Sequence, residues 1–220
     1  MMLTLPGCGE QQRSVATVEH SSTLDPSCRP LMPIIGLQPQ DDGGYLALLA
    51  QKLLSNDQGD SKLHMLQAGD EHETAVQIVQ SADGSYRVVS RRMVEPVFAS
   101  TDDYRALEVE VEMHQAPFPP EVFRQVDELW REFLFRIRVP KSLDSFDRPH
   151  YYFSGTAGPL IITGYADGPK SGTCIAQLRD IGDALFALPA LGEAQRATQL
   201  RRISARITAL RERVDGVPER

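Results

Sequence analysis

Thr74-Ala75-Val76-Gln77-Ile78-Val79-Gln80, then Ser81-Ala82-Asp83-Gly84-Ser85, then Tyr86-Arg87-Val88-Val89-Ser90, places two β-branched runs either side of an Asp-Gly pair. Asp-Gly supplies the positive backbone angles of a tight turn, so the stretch reads as a β-hairpin. Upstream, Lys62-Leu63-His64-Met65-Leu66 is a weaker strand. Downstream, Leu107, Val109, Val111 and Met113 alternate with Glu108, Glu110, Glu112 and His114 over residues 106–114. That period of two predicts a strand with one face buried and one in water, expected as a central strand. Tyr151-Tyr152-Phe153 and Leu160-Ile161-Ile162-Thr163-Gly164-Tyr165 make a second hairpin around a Ser-Gly-Thr-Ala-Gly-Pro turn.

Between and after these runs the period becomes helical. Pro119-Pro120-Glu121 opens a helix over 119–138, since proline is tolerated in a first turn and Glu121 complements the positive helix end. Val122, Phe123, Val126, Leu129, Trp130, Phe133, Leu134 and Ile137 form its apolar stripe, which reads as core rather than a cofactor groove. A helix over 174–188 carries Ile175, Leu178, Ile181 and Leu185, with Ser171 or Thr173 as its cap and Gly182 permitting a close approach. A short helix is expected over 44–55. The last helix, 193–214, has a narrow seam of Ala197, Leu200, Ile203, Ile207, Leu210 and Val214 among arginines, as in a two-helix contact. The fold class is therefore α+β: an antiparallel sheet of five to six strands, two hairpins plus a central strand, packed on one face by two helices. Residues 1–42 read as a flexible tether, 43–190 as the domain and 191–220 as a basic C-terminal helix, with the apolar patch at Leu31 docking on the domain.

The chain has 220 residues and a net charge of −7. Seven arginines against Glu193, Glu212, Asp215 and Glu219 give residues 191–220 a charge of +3, leaving −10 on residues 1–190. An acidic body argues against a phosphate-neutralising surface, so no nucleic acid is expected and a protein partner is. The seam of the last helix allows a homo-oligomer as well as an internal contact.

Leu5-Pro6-Gly7-Cys8, followed by a polar stretch, resembles the cleavage and acylation site of bacterial lipoproteins. The resemblance implies a lipid on Cys8 and a tether holding the domain off a membrane. Met1-Met2-Leu3-Thr4-Leu5 supplies neither a basic region nor an apolar core of a secretion signal. The two expectations that follow are a start upstream of Met1 or an ordinary thiol at Cys8. In an exported protein Cys28 and Cys174 are one candidate disulfide; in a reduced one Cys174 is a small core hydrophobe.

Catalytic signals are sparse. Glu108, Glu110, Glu112 and His114 share a strand face, read as solvated rather than metal-binding, because a cation cage needs ligands from several directions. Asp70-Glu71-His72-Glu73 lacks the second histidine of a helical zinc site and reads as an acidic turn. The strand–loop–helix passage over 164–173 has the layout of an anion cradle without a P-loop spacing, since Lys170 precedes Ser171-Gly172-Thr173. Lys170, Ser171 and Thr173, with His150 beside two tyrosines, are the candidate small-ligand residues. No metal, no cofactor and no catalytic residue is assigned. The leading expectation is a non-enzymatic envelope or accessory protein that binds another protein, as an inhibitor or immunity-type partner. The alternative is a cytosolic enzyme or small-ligand binder at His150 and the 164–173 loop.

Overall fold

The Asp83-Gly84 turn closes the hairpin as its residues require. Gly84 takes φ 84°, where a side chain would be strained. Ser81 N donates to Ser85 O at 2.9 Å, and Asp83 Oδ1 accepts from Ser85 N at 2.9 Å. Around this hairpin a computed structural model describes residues 28, 31–33, 44–69, 72–97, 104, 107–136, 149–157 and 160–215. The elements run β1 (Met32–Pro33), α1 (Tyr45–Leu53), β2 (Asp60–Ala68), β3 (Thr74–Gln80), β4 (Tyr86–Met93), β5 (Val111–Phe118) and α2 (Pro120–Phe135). They continue with β6 (His150–Ala157), β7 (Leu160–Asp167), α3 (Cys174–Ala187), a 3-10 turn (Leu188–Ala190) and α4 (Glu193–Asp215).

The strands form one antiparallel sheet in the order β1-β7-β6-β2-β3-β4-β5, in which β1 adds only two residues to the six main strands. The weak strand around Leu63 is its middle: β2 runs nine residues and pairs with β3 on one side and β6 on the other. The strand read as central lies instead at an edge and is displaced along the chain, from 106–114 to Val111–Phe118. Its pairing with β4 fixes the shift, because Val88 faces Ala116 and Tyr86 faces Phe118 in the core. Leu107, Val109 and Val111 are half-buried as their alternation requires, but Met113 is 39 % exposed. The pattern set the phase of this strand, and its partner set the register.

Register assigns each side chain to a face. Leu63, Met65, Val76, Ile78, Val88, Ala116, Phe118 and Phe153 meet α2, α3 and α4 in one core cluster. Trp130 lies at its centre, edge-on to Phe153 with ring centroids 5.5 Å apart. Met65 reaches α3 at Gly182, where a Cβ would come within 2.3 Å of its sulfur. The opposite face is also covered in part. Tyr45, Leu48, Leu49 and Leu53 of α1 pack on Leu66, Ala68, Ala75 and Met93 in a second cluster. This α1 layer is the feature beyond the expected arrangement of helices on one face.

The seam of α4 is filled within the chain. Ile203, Ile207 and Leu210 are fully buried in the cluster shared with α2 and α3. Arg211 meets Glu128 at 2.9 Å and Glu132 at 3.9 Å on α2, and Arg206 donates to the carbonyl of Asp180 on α3. Cys28 and Leu31, inside the stretch whose composition reads as tether, are buried in the same cluster.

Candidate functional site

The β6–β7 hairpin gathers the polar groups that stand nearest to a site. His150 and Asp167 are cross-strand partners, and their Nδ1 and Oδ1 atoms are in direct contact. Gly168 N donates to Pro149 O at 2.9 Å, which closes the loop start over this pair. Tyr152 and Tyr165, the next pair along the same face, stack with centroids 6.1 Å apart. Thr163 donates to the Ser154 hydroxyl at 3.0 Å. The structure therefore brings His150 to the beginning of the loop that holds Lys170, Ser171 and Thr173.

Those three residues have different settings. Lys170 and Ser171 are exposed. Thr173 is the N-cap of α3: its hydroxyl accepts from Ala176 N at 3.1 Å and donates to Lys170 O at 2.8 Å. The threonine thus takes one of the N–H groups that an anion at this helix end would use. Ser171, the other cap considered, stays outside. Cys174 begins the helix and is joined by a disulfide to Cys28, with Cα atoms 4.6 Å apart. Cys8 lies outside the described residues.

Sequence reasoning left two buried polar clusters unread. Glu73, read as part of an acidic turn, is fully buried and accepts from the Tyr45 hydroxyl at 2.9 Å and from Val97 N at 3.2 Å. Burial, reinforced by the Glu73 charge, holds the Tyr45 phenol far above its ordinary pKa. The second cluster surrounds Arg91, whose guanidinium reaches Asp57 at 2.5 Å, the carbonyl of Leu53 at 3.3 Å and the side chain of Gln77. A charge buried this way needs every donor matched, so both clusters serve as ties between α1 and the sheet. The available signal was Arg91 facing Ala75 in a β-branched strand pair, an odd place for a cation.

His64 lies on the α1 side of the sheet between Gln77 and Ser154 in register. Burial pushes its pKa down to about 4, so the ring is neutral near pH 7. Among the described residues no hydrogen bond joins it to Ser154, whose hydroxyl accepts from Thr163. Glu112 is bridged to Arg92 at 2.5 Å and to His114 at 2.9 Å, and these contacts, His114 foremost, hold its carboxyl below the usual range. Glu108 and Glu110 precede the strand and are exposed. Among the described residues, no cluster of three or more His, Cys, Asp or Glu side chains converges on a metal position, and no helix is long and apolar enough to cross a membrane.

No protein-family model, curated protein or solved structure matches this chain.

The remaining feature is apolar. Phe135 at the end of α2 is 66 % exposed, and Leu160 and Ile161 at the start of β7 are 64 % and 72 % exposed. Leu134 of α2 lies over Gly155, whose cross-strand partner is Ile162, while Leu160 and Ile161 are adjacent at the start of β7, where successive side chains point to opposite faces. Large apolar side chains left in water beside one another on a strand are a surface that a protein contact covers.

Proposed function

We propose that this is a non-enzymatic accessory protein of a bacterial envelope that binds another protein, as an inhibitor or immunity-type partner does. The observation that carries the reading is the adjacent exposed pair Leu160 and Ile161 at the start of β7. Exposed apolar side chains of this kind gain by burial against a partner, while the net-acidic body steers and selects it. The buried Cys28–Cys174 disulfide supports an oxidising compartment, where such bonds persist. A lipid on Cys8 would then tether the domain to a membrane surface.

The test is co-purification from envelope extracts with the full chain as bait, wild type against Leu160→Asp/Ile161→Asp. The wild type should retain a stoichiometric partner that the variant loses at unchanged melting temperature. Equal retention by both proteins removes the hairpin end as the contact surface. Detergent-phase partition that Cys8→Ser abolishes tests the anchor. A second reading, a small-ligand site, is favoured by the His150–Asp167 contact beside Lys170 and Ser171. Phosphate or acetate titration followed by amide shifts at Lys170 and Ser171 tests it, and an unresponsive loop excludes it.

A further inference from the structure

Leu31 is buried in the helix-side core, and among the described residues the strand after it has two residues, paired with Gly164 and Tyr165. One of those two is Pro33, which has no N–H to give to a ladder. Among the described residues, so short a strand and the buried Leu31 are a weaker hold than the six-residue ladders of the main sheet for a segment whose backbone is ordered against β7. Three residues before Leu31, Cys28 is bonded to Cys174, the first residue of α3 and 146 positions away in the chain. By contrast, β7, β6, β2, β3, β4 and β5 are each joined to their neighbours over six residues or more. We propose that the Cys28–Cys174 bond is a redox-sensitive clasp that holds this segment on β7, and that its reduction releases Cys28 to Pro33 while the six-stranded body stays folded.

The chemistry is thiol–disulfide exchange with a dithiol reductant. A thiolate of the reductant attacks the sulfur of Cys28, the less buried of the two cysteines, and Cys174 leaves as a thiolate that takes up a proton. The second thiol of the reductant then displaces Cys28 from the mixed disulfide. Two electrons and two protons pass to the protein, and the reductant ends as a disulfide. Release of β1 uncovers the outer edge of β7 at Gly164 and Tyr165, next to the exposed Leu160 and Ile161. An uncovered edge is a template for strand addition. The clasp does not depend on the proposed partner.

Thiol alkylation and hydrogen exchange of the full chain, with and without dithiothreitol, test the clasp. Without reductant, neither Cys28 nor Cys174 should alkylate in the denatured protein. With it, Cys28 and Cys174 should label, and peptides covering residues 28–33 and 160–167 should exchange at least about tenfold faster while β3 and β4 change by less than about twofold. Cys28→Ser without reductant should reproduce the reduced pattern; if that variant fails to fold, reduction of the wild type alone decides. Free Cys28 and Cys174 thiols in the untreated protein overturn the proposal. So does unchanged protection of β7 after reduction, and so does protection lost evenly through β3 and β4, which makes the bond a global staple.

Discussion

Gly182 is the residue at which helix propensity and packing disagree most sharply. Alanine would favour the helical backbone of α3 by about 1 kcal/mol. Its Cβ, however, would stand 2.3 Å from the sulfur of the buried Met65, so the thioether must leave its place in the core. Overpacking wins, so Gly182→Ala should destabilise by about 1–3 kcal/mol in denaturant melts. Met65→Ala in the same chain should recover part of that loss as a coupling energy. A neutral or stabilising Gly182→Ala would mean that α3 does not approach β2 so closely.

His64 makes a pH prediction at the same scale. Burial lowers its pKa from 6.5 to about 4 in the folded chain. Between those values the unfolded state binds more protons, so this group withdraws stability as pH falls from 6.5 to 4, by at most about 3 kcal/mol. Asp183 acts with the opposite sign. Burial, with the Asp180 charge and against Arg179, raises its pKa to about 6, so its contribution fades as pH rises from 3.8 to 6. Because the windows overlap, the wild-type curve alone does not separate them. His64→Gln should lose less stability than wild type on acidification through this range, measured by urea midpoints. Parallel curves would show that the imidazole is solvated.

At the scale of elements, α4 separates apolar from ionic contributions on one helix. Its seam was legible because aliphatic residues recur every three or four positions, and so were the arginines beside it. Ile207 is fully buried, whereas the Arg211 side chain stays 39 % exposed in its pairing with Glu128. Ile207→Ala should therefore cost about 2–5 kcal/mol through the cavity it leaves. Arg211→Ala should cost under about 1 kcal/mol, since screening weakens an exposed pair. Similar losses for both, read by thermal melts in low and high salt, would mean that the helix is held by charge.

For the whole molecule, α4 is part of the fold's main core rather than an appended unit. Deleting residues 193–220 uncovers the faces of α2 and α3 that enclose Ile203, Ile207 and Leu210. The melting temperature should fall by more than about 10 °C, as expected for the loss of several buried aliphatic side chains in a chain of this size. An unchanged value would show that residues before 191 form a self-sufficient domain. The two sheet edges are protected unequally. β5 carries Glu112, His114 and Pro117 along its edge, devices that discourage pairing. β7 carries Leu160, Ile161 and Ile162, and among the described residues β1 is the strand that pairs with its outer edge.

By itself the sequence determined the local periods. Asp83-Gly84 between β-branched runs settled the hairpin, Pro119-Pro120-Glu121 set the start of α2, and Ser171 or Thr173 marked the cap of α3, of which the structure uses Thr173. These are decided by neighbours within a few residues, and a chain read in order contains them. It also marked Trp130 as core, because a stripe at helical spacing has one buried side. Tertiary structure alone decided which strand lies in the middle. β2 looks weak in sequence because its strength comes from partners on both sides, and β5 looks strong because one clean face is what an edge strand retains. It decided as well that α1 covers the second face, that Glu73 and Arg91 are buried ties, and that Cys28 meets Cys174. Each of these joins residues far apart in the chain, where the energy depends on what packing brings together and not on local composition.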